Sequence, residues 1–182
     1  MHGFSAQAQP SSTEAMLARY ARSTAMPSSA KALKNPVRFT PEMRHEAMAH
    51  FADHCAVCHA NNGSGQTLFG KGMYPKPPDM RGETQRMSDG EIFYVIENGI
   101  RMSGMPAFGV DGAEDDSWKL VAFIRHLPKL TATEEAEMEA LDPKTPDEAA
   151  EERQEEQFLN GDSSKPATTN HPPTPHQAGH TR

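Results

Sequence analysis

Cysteine is scarce in this chain: 182 residues contain two, Cys55 and Cys58. A closed zinc shell normally draws Cys or His ligands from two spaced pairs, so these two thiols alone do not make one. His45, His50 and His54 stand nearby, but their spacing fits no common zinc pattern. Strand-like runs are missing around the cysteines, which removes the βαβ surroundings of a thioredoxin-like redox motif. Before Phe39 there is no apolar run of about 7–15 residues, so that stretch holds neither a signal peptide nor a membrane-spanning helix. Apolar residues are too few for the whole chain to be packed core. Mean hydropathy is −0.72 and there are 15 prolines.

What is present is unevenly distributed. Up to Phe39 there are five basic residues and one acidic; from Thr40 to Leu130, nine and twelve; from Thr131 onward, four and twelve. The formal net charge of −7 is therefore a property of the C-terminal segment. We divide the chain into an arm or linker (1–39), a folded domain (40–130) and an acidic, proline-rich tail (131–182). A domain of about 90 residues lies near the low end of what a hydrophobic core alone holds together. A covalently held apolar group would supply the missing centre.

Helix signals are clear in the middle segment. Thr40-Pro41-Glu42 is a helix start, with Thr as N-cap, Pro at the first helical position and Glu suited to the macrodipole. Met43, Ala47 and Phe51 then recur on one row and form an apolar stripe. From Ala60 to Arg86, glycines and prolines forbid long regular structure and predict a loop that wraps something. Ser88-Asp89-Gly90-Glu91 is a capping box, opening a helix that carries Ile92, Val95 and Ile96 and ends at Asn98-Gly99. After an irregular loop over 101–110, a further helix starts near Asp115 or Asp116. Its Trp118, Leu120, Val121, Phe123, Ile124 and Leu127 circle most of the axis, which predicts burial on several sides.

The flanks read differently. Residues around Thr13 to Tyr20 suggest a short helix with a basic side at Arg19 and Arg22, in a solvated arm. Thr131-Ala132-Thr133-Glu134 is a second capping box, predicting a short acidic helix to about Leu141. Beyond it the composition is that of a disordered tail. Its His171, His176 and His180 suit weak binding of Ni or Cu, although a solvated tail without that role is the simpler reading.

The chemistry concentrates in Cys55-Ala56-Val57-Cys58-His59, the attachment sequence of c-type haem. On a helical turn, positions i and i+3 share a face, so both sulfurs reach the vinyl groups along one porphyrin edge. His59 then supplies one axial ligand, and a carbonyl of the proline region is a candidate acceptor for its other N–H. The sixth position falls to a methionine after His59. Gly104-Met105-Pro106-Ala107-Phe108-Gly109 offers Met105 in a loop restricted by Pro106, with glycines permitting close approach. Met102 is the rival, and an open or His-ligated iron stays a third alternative. The remaining methionines read as core filler.

With these residues in view, the segment from about Thr40 to Leu130 resembles the class I c-type cytochromes, in particular small bacterial periplasmic or membrane-anchored monohaem cytochromes. The resemblance rests on Cys55-x-x-Cys58-His59, the Gly104-to-Gly109 loop and the helix from Trp118 to Leu127. It implies an all-α fold, a few helices around one covalently bound haem c, with Met105 as distal ligand. It also implies that the first and last helices cross, with Ala47 and Phe51 meeting Leu120 and Phe123. The expected role is carriage of single electrons between donor and acceptor redox proteins rather than catalysis. Nucleic acid is not an expected partner, and the haem domain is expected to be monomeric. Attachment of haem c after export implies a periplasmic location and an export signal or anchor upstream of Gly3.

Overall fold

The computed structural model describes residues 5–6, 8–109 and 112–142; the tail histidines His171, His176 and His180 lie outside the described residues. Among the described residues every regular element is helical. In chain order these are α1 (Ser12–Ala25), α2 (Ser28–Lys31), α3 (Pro41–His54), α4 (Ala56–His59), α5 (Leu68–Gly72), α6 (Asp89–Asn98), α7 (Glu114–His126) and α8 (Ala132–Leu141). Two 3₁₀ turns, Glu83–Arg86 and Leu127–Lys129, complete the set.

Each long helix begins where local chemistry places it. The Thr40 hydroxyl accepts from the Met43 N–H at 3.3 Å and starts α3. Ser88 and Glu91 satisfy each other's backbone N–H groups at 3.1 and 2.7 Å and start α6. Thr131 and Glu134 do the same for α8. α7 begins at Glu114, slightly before the expected Asp115, and its N-cap, Ala113, makes no side-chain cap bond. Three successive carboxylates, Glu114 to Asp116, complement the positive helix end instead.

The core forms where α3 crosses α7. Ala47 and Leu120 are buried, and Phe51 meets Phe123 edge to face with ring centroids 5.2 Å apart. This edge-on geometry is the favoured arrangement for two aromatic rings. α6 lies on the other side of α7, where Phe93 stacks on Trp118 at 4.0 Å. Burial of α7 against both neighbours matches its nearly all-round apolar sequence.

Packing extends beyond residues 40–130 on both sides. Met26 is buried, the Ser88 hydroxyl donates to the Lys31 carbonyl at 2.9 Å, and the Asn35 amide donates to the Trp118 carbonyl at 2.9 Å. α1 itself has no buried residue and leaves Met16, Leu17 and Tyr20 exposed. At the other end α8 lies on α3, with Met138 fully buried. Glu134, nearly as buried, accepts from Arg44 at 2.7 Å, pairs with His126 at 3.0 Å and closes the Thr131 cap. The 131–142 segment is thus a working part of the domain surface.

That packing sets a first expectation for stability. Met138→Ala should cost about 2–5 kcal/mol, the range for emptying a fully buried methionine site. Chemical denaturation of the two proteins would read it. A chain ending at Leu130 should also unfold at lower denaturant than one ending at Asp142, because Arg44 and His126 lose their carboxylate. Equal midpoints would mean that α8 contributes nothing.

Candidate haem-binding site

The Cys55-to-His59 stretch is a single helical turn. Cys55 ends α3, its N–H bonded to the Phe51 carbonyl at 2.8 Å, and its own carbonyl accepts from His59 at 2.9 Å. Both thiols are free and half-buried, and one helical turn carries them on a shared side. Burial, helped by the neighbouring Cys58, pushes the Cys55 thiol up to about 12. A disulfide-exchange nucleophile needs the opposite shift, so the turn does not suit that chemistry.

His59 is 8% exposed, and desolvation lowers its pKa to about 4. The ring is therefore neutral at neutral pH, the form in which an imidazole binds metal. Its Nδ1 is fully buried with no partner. The proline-region carbonyl expected to accept from this ring does not do so. Pro77 O instead lies against Gly65, 2.7 Å from where a Cβ would sit. Gly65, at φ 70°, tolerates that approach and donates to the His59 carbonyl at 2.8 Å. The loop over 60–86 thus folds back on the motif through backbone contacts, with α5 and one 3₁₀ turn as its only regular pieces.

The methionine loop is braced on the end of α6. Gly99, at φ 65°, ends that helix, and a Cβ there would come within 2.6–2.8 Å of the Met105–Ala107 backbone. Met105 O accepts from the Ile100 N–H at 3.0 Å, and its N–H donates to the Ser103 hydroxyl at 3.2 Å. Phe108 and Gly109 donate to Ile96 and Glu97 carbonyls. Met105 is partly buried, whereas Met102 is 93% exposed and takes a left-handed backbone at φ 58°. A third methionine, read from sequence as filler, also reaches this loop. The Met73 methyl occupies the space beside Gly104 where a Cβ would sit. Nothing local marks Met73, because the contact spans the whole α5–α6 region.

His45, His50 and His54 do not join the cysteines. Among the described residues, no three His, Cys, Asp or Glu side chains are arranged to hold a metal ion. A zinc shell at Cys55 and Cys58 is therefore not assembled.

Residues 42–124 match the family described as cytochrome c oxidase, cbb3-type, subunit III. This segment is a c-type cytochrome domain. The matched span runs from the start of α3 into the last turns of α7, and so holds both cysteines, His59 and Met105. Comparison with curated proteins gives no match. The cytochrome domain implies haem c, and its donor set fits that group: two free thiols on one turn and a neutral, orphaned imidazole directly after them. Outside the matched span, Arg125 ties the domain together. Its guanidinium bonds Asp89 at 2.8 Å and the Gln85 and Met87 carbonyls, joining α7 to the loop before α6.

Proposed function

We propose that this cytochrome domain carries single electrons between redox proteins through one haem held by Cys55, Cys58, His59 and Met105. The bound haem supplies a one-electron iron couple, and the chain supplies everything that tunes it. Cys55 and Cys58 would anchor the group by thioethers, and the buried neutral His59 and the loop residue Met105 would be its two protein ligands. Support for Met105 over Met102 comes from exposure: a side chain 93% in solvent makes few contacts to the domain, while Met105 sits in a loop pinned at Ile100 and Ser103. A soft thioether favours the ferrous state and raises the potential. Ligation by both His59 and Met105 would suit electron transfer rather than substrate binding at the metal.

The observation that carries this reading is the buried, partnerless imidazole immediately after two free thiols on one helical turn. The matched family is named for an oxidase subunit, which supports delivery of electrons toward a terminal oxidase. The donor and acceptor dock over small interfaces, as transient redox partners do. A location outside the cytoplasm follows from haem c; among the described residues no helix is long and apolar enough to cross a membrane.

Rapid mixing tests the assignment. The protein should exchange one electron quickly and reversibly with a reduced small-molecule donor and with an oxidised cytochrome, without sustained turnover of peroxide or tight binding of nitric oxide. Sustained peroxide turnover by the wild type would reject the carrier role.

A further inference from the structure

One cluster on α3 takes no part in the haem site. His50 and His54 stand one turn apart, where side chains at i and i+4 are neighbours. Their rings meet edge to face with centroids 4.9 Å apart. With Ala49, Asp53 and Leu141 they line an open surface cleft. His50 is half-buried and the His54 side chain is 48% exposed, so the pair faces solvent without being loose.

Two further features prepare these rings for a metal. His54 Nδ1 lies 2.9 Å from Asp53 Oδ2, and a carboxylate accepting the Nδ1–H leaves the lone pair on Nε2. Metal-binding histidines characteristically carry such a partner on the other ring nitrogen. Burial, then the neighbouring His54, keeps the His50 pKa below its ordinary value, which favours the neutral form. Asp116, Asp53 and Lys119 are the other charged groups that His50 feels. The Lys119 ammonium is held by Glu46 at 2.9 Å and Asp116 at 3.0 Å.

We propose that His50 and His54 chelate a divalent late first-row metal ion, Cu(II) foremost, on the surface of α3. Each imidazole contributes one nitrogen, at about the 2.0–2.1 Å of a zinc–imidazole bond. The rings already stand close enough that side-chain rotation brings both nitrogens to one ion. No third protein donor joins the pair among the described residues, so water completes the coordination. With two imidazole donors and no imposed geometry, the choice among ions follows the Irving–Williams order, which peaks at copper. Binding displaces water and transfers no electron.

Titration of the full-length, haem-loaded protein with copper(II) chloride tests the site, followed by calorimetry and by electron paramagnetic resonance of the copper. His2, His45 and the tail histidines also offer imidazoles, so the readout is the difference between variants. His50→Gln and His54→Gln should each weaken one copper equivalent by about a hundredfold, the order lost when a second intramolecular contact is removed. The resonance of that equivalent should change from two coupled nitrogens to one. Asp53→Asn should weaken it by about tenfold, as loss of an orienting partner does. A variant carrying His171→Gln, His176→Gln and His180→Gln should keep it. His54 is half exposed, so its replacement tests the site even if His50→Gln disturbs the helix. A titration unchanged in His54→Gln, or an equivalent lost only in the tail variant, would overturn the proposal.

Discussion

Met105→Ala should leave the haem attached and empty the sixth position of its iron. The weak far-red band of sulfur-to-iron charge transfer should vanish from the oxidised spectrum. Cyanide or carbon monoxide should then bind the variant readily. The midpoint potential should fall by on the order of 0.1 V, a fraction of the roughly 0.8 V that axial ligands span. The direction follows from the loss of a thioether that favours ferrous iron. The fold should survive, because the loop is fixed by backbone bonds at Ile100, Phe108 and Gly109 that the substitution leaves in place. Two controls sharpen the experiment. Met102→Ala removes a side chain that is 93% exposed and should leave the band intact. Met73→Ala removes the group packed beside Gly104 and should shift the potential or loosen the loop without abolishing the band. A band lost in either control and kept in Met105→Ala would transfer the ligand to that residue.

Replacement of both cysteines should have the larger consequence for the protein as a whole. Acid acetone should leave the pigment on the wild-type chain, and its intact mass should exceed the sequence mass by one haem. Cys55→Ser/Cys58→Ser should release the pigment into solvent or accumulate without any. A single replacement, Cys58→Ser, should retain haem through one thioether. The physical basis is the turn itself. Cys55 O accepts from His59 N–H at 2.9 Å, so the imidazole and the two sulfurs project from one hydrogen-bonded backbone turn. His59 alone would hold the group by a single coordinate bond, with no covalent tether to the chain. Pigment extracted from the wild type would refute covalent attachment.

The parts of this protein legible from sequence are those decided within one or two helical turns. The Thr40, Ser88 and Thr131 starts are bonds between a side chain and a backbone N–H three residues away, so the residues that make them are adjacent in the text. The same holds for Cys55, Cys58 and His59, whose relative placement is set by a single turn. The apolar row of α3 and the apolar residues that circle most of the α7 axis announced that these helices bury large faces, and the Phe51–Phe123 contact realises it.

Tertiary structure alone decided the rest. α8 reads as an acidic helix with few apolar residues, and only the surface presented by α3 turns Met138 into a fully buried side chain. The docking of residues 26–37 depends on bonds spanning 57 and 83 positions, from Ser88 to Lys31 and from Asn35 to Trp118. No local pattern encodes such pairs. Met102 and Met105 share a loop and a side chain, and what separates them is a left-handed backbone that turns one out to solvent. The missing acceptor at His59 Nδ1 has the same origin. The prolines were visible as a loop, but where Pro77 O points depends on how that loop closes on Gly65, a contact set by the whole fold.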